Sequence, residues 1–254
     1  MSENLFLETT IQVEKIFAEK DKREMLLSFL SKSKKKYTSN FVLDQFKATF
    51  VNASVLFHRL LIDSPDVHTA LKRAEIYTEG RLKKILSIFY ALCDEVGYNK
   101  QDVIDRLEIY IEGGLIDEFF SGIDDFIDET KCCRVRNEPF KKGRVYEMSV
   151  SCNKQNPPRC SINEFWKKNK SLLAKISNSL NTDSDKTELE KVKEVARKVY
   201  NTADLPFGNN CSVHLSDTII AIEAPASSKI FTTNEKHFAP ICAAIDKKHL
   251  KWPK

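Results

Sequence analysis

The side chains best suited to chemistry in this sequence follow short apolar runs. Glu8 comes directly after Leu5-Phe6-Leu7, and Asp217 stands at the start of Ser216-Asp217-Thr218-Ile219-Ile220-Ala221. Thr232-Thr233-Asn234-Glu235 follows Ile230-Phe231, while Asp44 and Gln45 come shortly after Tyr37-Thr38-Ser39. Carboxylates gathered at one place repel each other unless they share a cation. Hard oxygen donors of this kind suit Mg²⁺ or Mn²⁺, which can also clamp a phosphate and activate a water. Such chemistry requires residues from both ends of the chain to meet at one edge of the fold.

The surrounding pattern supplies elements that could bring them there. Leu5-Phe6-Leu7 reads as a buried parallel strand that ends at Glu8-Thr9-Thr10. Val13, Ile16, Phe17, Met25, Leu26, Phe29 and Leu30 keep helical spacing and predict a helix over 13–30. The basic run Lys32 to Lys36 leads into a short strand at Tyr37-Thr38-Ser39, and Ser39 or Asn40 can cap a helix running from Phe41 to about Leu61. Strand, helix, strand, helix favours a parallel α/β sheet, in which ligands sit beyond the carboxyl ends of the strands. Pro65 to Gly97 reads as helical, and Lys100 to Thr130 as shorter acidic helices broken at Gly113-Gly114 and Gly122. Residues 132–160 have no clear period apart from a strand at Val145 to Val150. Ser161-Ile162-Asn163-Glu164 matches a capping box opening a further helix, and Glu188 to Tyr200 predicts another. An edge strand near His249 to Trp252 closes the chain.

Composition bounds the function classes. The 254 residues are 42% hydrophobic and 30% charged, with only 7 glycines and 8 prolines, which predicts a soluble, helix-rich globular protein. The opening MSENLFLETT has no basic region followed by an apolar run, and no apolar stretch approaches the roughly 20 residues that span a bilayer, so a cytoplasmic protein with no membrane partner is expected. Glycine is too scarce for a dinucleotide or phosphate loop, and no Ser-His-Asp order is present. His237 reads as a surface loop residue.

The net charge of +4 conceals an asymmetry. Between Asn99 and Thr130 ten acids face Lys100 and Arg106, whereas between Lys131 and Lys175 twelve Lys or Arg face Glu138, Glu147 and Glu164. Either the basic block faces phosphates, or the two blocks neutralise each other. Arg134, Arg136, Lys141, Lys142, Arg144, Lys167 and Lys168, interleaved with Phe140, Tyr146 and Trp166, have the mix that binds single-stranded nucleic acid: cations follow phosphates and rings stack on bases. Among seven cysteines, Cys132, Cys133, Cys152 and Cys160 could form a structural Zn²⁺ site, though without the usual C-x₂₋₄-C knuckle, and separate reduced thiols are the alternative. Cys93, Cys211 and Cys242 sit in apolar contexts and are expected in the core.

Taken in order, these segments resemble a PIN-type nuclease domain. Leu5-Phe6-Leu7-Glu8-Thr9-Thr10 resembles that family's opening strand and first acid, and Tyr37 to Phe46 its second strand and acid-bearing helix. Ser216 to Ala221 resembles the helix with the third acid, and Ile230 to Phe238 the closing strand and loop. The resemblance covers roughly residues 4–62 and 200–252. It implies a three-layer α/β/α fold with a central parallel sheet, discontinuous over 1–62 and 200–254. The remainder would be a large helical and irregular insertion, with an acidic helical segment at 63–130 and a basic, cysteine-containing segment at 131–199. It also implies hydrolysis of RNA by Mg²⁺ or Mn²⁺ held by Glu8 and Asp217, helped by Asn234 and by Gln45 or Asp44. Glu8 stands where the family usually has Asp, Gln45 aligns with the second acid, and Asn234 with the fourth. The alternative is therefore a PIN-like interaction protein with a decayed acidic set, binding nucleic acid, a protein partner or a second copy of itself. A chain without the inferred strands would instead be an all-α regulatory protein.

Overall fold

A computed structural model of the chain describes residues 3–77, 81–131, 137–149, 161–180, 186–201 and 214–252. The chain opens with β1 (Asn4–Leu7), α1 (Thr9–Phe17), α2 (Lys20–Ser31), β2 (Lys35–Ser39), α3 (Asn40–Phe46), a π-helical turn and α4 (Asn52–Ile62). Helices α5 (Val67–Tyr77), α6 (Leu82–Val96), α7 (Lys100–Ile109) and α8 (Leu115–Phe120) lead to β3 (Asp125–Ile127). A hairpin of β4 (Phe140–Lys142) and β5 (Val145–Glu147) precedes α9 (Ile162–Lys168), α10 (Lys170–Ser179) and α11 (Lys186–Asn201). The last elements are α12 (Ser216–Glu223), β6 (Lys229–Thr232), α13 (Glu235–Ala244) and β7 (Lys248–Lys251).

Five strands form one sheet in the order β3-β2-β1-β6-β7, and every neighbouring pair is parallel. Helices cover both faces, so the fold is a three-layer α/β/α arrangement and the all-α alternative falls. Side chains alternate across the sheet with period two. Leu5 and Leu7 join Phe231, Leu26 and Leu30 in one core, while Phe6 and Ile230 join the larger core with Phe41, Phe46, Leu61 and Ile219. That larger core continues through Leu107, Trp166, Ile176 and Val199, so described segments between residues 63 and 199 pack into the same interior as the sheet.

Several expectations change in detail. The helix expected over 13–30 is two helices, divided where Ala18 and Glu19 turn extended (ψ 155 and 146). Ile16 and Phe17 belong to one core and Leu26 and Leu30 to the other, so the chain must change direction between them. Met25, in the apolar stripe by its spacing, is 66% exposed. The helix expected over Pro65 to Gly97 is likewise α5 and α6. Ser161 makes no side-chain capping bond, so the capping box is absent although α9 starts beside it. The segment 63–130 also supplies β3, paired with β2 at Tyr37↔Asp125 and Ser39↔Ile127, which makes it part of the sheet as well as a helical insertion.

One edge of the sheet is closed by an aromatic triangle, with Phe231 5.1 Å from Phe29 and 5.7 Å from Trp252 between ring centroids. Phe231→Ala is expected to cost about 3–5 kcal/mol, the usual penalty for emptying a buried aromatic site. Urea unfolding with an unchanged denaturant slope would report it; a change under about 1 kcal/mol would mean that this corner of the sheet repacks freely.

Candidate functional site

The carboxyl ends of β1, β2 and β6 bring together the polar residues that the sequence scatters. Glu8, one residue past β1, is 2% exposed and caps α1, its carboxylate accepting from the Thr10 amide at 2.8 Å and from the Thr10 hydroxyl. Thr10 Oγ1 in turn accepts from the Thr233 amide at 3.1 Å and lies 2.8 Å from Thr233 Oγ1, which ties the end of β1 to the end of β6. Burial pushes the Glu8 carboxyl up to about 7; the Thr10 and Thr232 hydrogen bonds oppose this, and the negative charge of Asp217 adds to it.

Asp217 lies in the first turn of α12, and its Oδ2 is 2.9 Å from His237 Nδ1. His237 is thus a partner of the candidate carboxylate on α13 and not a bystander in a loop. Asn234 sits half-buried at the start of α13, with its backbone amide bonded to Thr232 Oγ1 at 2.8 Å. Of the two neighbours on α3, Gln45 meets the site: its Oε1 accepts from Thr9 Oγ1 at 2.5 Å, beside Glu8. Asp44 is 1% exposed. Among the described residues no three His, Cys, Asp or Glu side chains converge closely enough to hold a metal ion, so any ion here would rest on Glu8 and Asp217 with neutral oxygens and water. Cys132, Cys133, Cys152 and Cys160 lie outside the described residues, as do Arg134, Arg136 and Cys211. Cys93 and Cys242 are buried free thiols, as expected.

A second buried carboxyl carries no signal in the sequence. Glu223, at the last position of α12, is 3% exposed and accepts from the Thr130 amide at 3.3 Å, and burial pushes it up to about 7 against hydrogen bonds from Ser39 and Thr130. Nearby, Lys247 Nζ donates to the carbonyls of Ala221, Ile222 and Ala224 at the end of the same helix. Burial lowers its ammonium to about 8. Thr130 follows β3, a strand too short and exposed to show in the sequence, so nothing local marks this cluster.

Among the described residues, several lysines of the basic block are answered by acids. Lys141 pairs with Glu108 of α7 at 3.1 Å, Lys168 with Glu129 at 3.1 Å, and Lys142 with Glu147 across the hairpin at 3.1 Å. In the hairpin register Lys141 faces Tyr146, and these two dock on α4 and α7: Tyr146 bonds Glu112 and packs edge-on against the buried His58, whose Nε2 is 3.1 Å from Glu108. The alternate positions, Phe140 and Lys142, point outward. Tyr146 and Trp166 are buried and cannot stack on a base, whereas Phe140 is 53% exposed. Arg144 and Lys167 make no ion pair among the described residues. No protein-family model matches the chain, and neither the curated proteins nor the solved structures compared with it gave a match. Among the described residues no helix is long and apolar enough to cross a membrane.

Because the folded state holds the Glu223 proton near 7 against an ordinary value of 4.5, its contribution to stability is complete below about pH 4.5 and disappears as the pH rises through 7. Glu223→Gln is expected to match the wild type near pH 4.5 and to exceed it at pH 8 by on the order of 2 kcal/mol. Urea titrations at the two pH values measure the difference; identical pH dependence in the two proteins would show that Glu223 ionises without cost.

Proposed function

We propose that this protein hydrolyses phosphodiester bonds of single-stranded RNA at the carboxyl edge of its sheet, using Mg²⁺ or Mn²⁺ held by Glu8 and Asp217. One observation carries the reading: Glu8 at the end of β1 is tied through Thr10 to Thr233 at the end of β6, and α13, which follows β6, holds His237 on Asp217, all at the edge where parallel α/β folds bind ligands. The donor set fits a hard cation, because Mg²⁺ takes one or two carboxylates and completes its shell with water and substrate oxygens. Such an ion would supply a nucleophilic water at neutral pH and offset charge on the phosphate.

The chain's own groups do the positioning. Thr10 fixes both Glu8 oxygens, and His237 fixes Asp217 Oδ2. Asn234 and Gln45 add neutral oxygens at the edge, and Gln45 is preferred to Asp44 because it already bonds to Thr9. Arg144, Lys142 and Lys167 would follow the phosphates while Phe140 stacks on a base. A second reading, a PIN-like binding protein without hydrolysis, draws support from the neutral Gln45 at the second acid position and from the lack of a three-ligand cluster among the described residues.

Cleavage of an end-labelled single-stranded RNA pool in Mn²⁺ separates the two. Wild type should cleave and fall silent with chelator, and Asp217→Asn should reduce the rate by about 100-fold or more, the scale of several kcal/mol of charge stabilisation. RNA binding that survives both treatments without any cleavage would select the binding protein. Under either reading, removing Lys142 and Arg144 together should weaken RNA binding and flatten its salt dependence. The slope should fall by about 0.7 for each phosphate of the single strand that is no longer neutralised, read from affinities between about 50 and 200 mM salt.

A further inference from the structure

Beside the candidate carboxylates lies a cavity of about 190 Å³ that the hydrolysis itself does not require. Leu189 and Val192, three apart on one face of α11, form an apolar wall with Ile241 of α13. Ser216, His214 and His237 line it with polar atoms, and His237 stands four residues before Ile241 on the same side of α13. Asp217 opens onto the same space. His214 holds a left-handed backbone (φ 62), a conformation that costs a non-glycine residue energy and persists only where its surroundings fix it.

Size, charge and the division of surfaces point to one kind of occupant. Pockets for drug-sized ligands run to about 300–1,000 Å³, so this cavity takes a single small ring system. The described lining holds no Lys or Arg, which argues against a phosphate as the occupant. A group with flat apolar faces and a polar edge suits a described lining of three aliphatic side chains, two imidazoles, a hydroxyl and a carboxylate. We infer that the cavity receives one nucleobase of the RNA strand, the base neighbouring the phosphate held at Glu8 and Asp217. This rests on the RNA reading above and deepens it: the site would select its cleavage position by a base, with α11 supplying the wall.

The test needs no turnover. The chain has five histidines, so their ring-proton resonances can be followed singly while adenosine, guanosine, cytidine and uridine are titrated in turn into the full-length protein without metal. Ribose 5-phosphate serves as the phosphate-only control. At least one nucleoside should shift the His214 and His237 signals and leave His58, His68 and His249 in place. Val192→Phe, which fills the apolar wall, should weaken that binding about tenfold or more while its melting curve stays cooperative. Leu189→Ala, which enlarges the wall without crowding it, should also weaken binding and guards against a misfolded phenylalanine variant. Shifts from ribose 5-phosphate alone, or none from any nucleoside at millimolar concentration, would overturn the base pocket. Nucleoside binding by a protein that cleaves nothing would keep the pocket and remove the hydrolase; cleavage without nucleoside binding would do the reverse.

Discussion

A parallel sheet covered on both faces has to end somewhere, and at its carboxyl edge the last backbone and side-chain polar groups leave the ladder without entering water. That constraint governs this molecule. Thr10, Thr38, Ser39, Thr232 and Thr233 are the short hydroxyl side chains that satisfy it: Thr38 donates to the Leu7 carbonyl at 3.1 Å, Ser39 caps α3, and Thr10 links β1 to β6. Placing Glu8 and Glu223 among these neutral groups removes both carboxylates from water, and desolvation then raises both toward 7. The same geometry that closes the sheet thus leaves two acids at one edge whose charge is costly at neutral pH.

Helix α12 spans that edge. Asp217 in its first turn reaches the Glu8 side, and Glu223 in its last turn reaches Ser39 of β2 and Thr130 beyond β3. A negative Asp217 suits the positive end of the helix macrodipole, and Lys247 meets the carbonyls at the other end. The helix is therefore held at both ends by charge and along its middle by Ile219 and Ile220 in the core. A comparable device fixes α1, where the buried Lys15 donates to the Phe119 and Ser121 carbonyls at the end of α8 and is lowered to about 8 by its burial.

Charge also decides how the middle of the chain attaches. The acidic α7 and the basic hairpin are each unbalanced, and they dock by pairing Lys141 with Glu108 around the buried His58 and Tyr146. Exposed ion pairs contribute little individually, typically under about 1 kcal/mol, so the packing of Tyr146 and His58 holds the hairpin while the charges set its register. Among the described residues of the hairpin, Phe140, Lys142 and Arg144 are left outward.

The sequence by itself determined the parallel α/β class and the strands at β1, β2 and β6, with Glu8 and Asn234 following the ends of two of them. It could do so because apolar runs ended by polar residues are local patterns, and parallel pairing then places every strand end on one side. It did not contain β3, three residues with two of them exposed, nor the break between α1 and α2, which follows from serving two cores. Only the tertiary structure decided that Gln45 meets Thr9, that His237 partners Asp217, and that Glu223 is buried beside Thr130. It also decided how far the charged blocks pair with each other instead of facing outward. Each of these depends on burial or on partners distant in sequence, and desolvation, unlike periodicity, is a property of the surroundings and is written in no single segment.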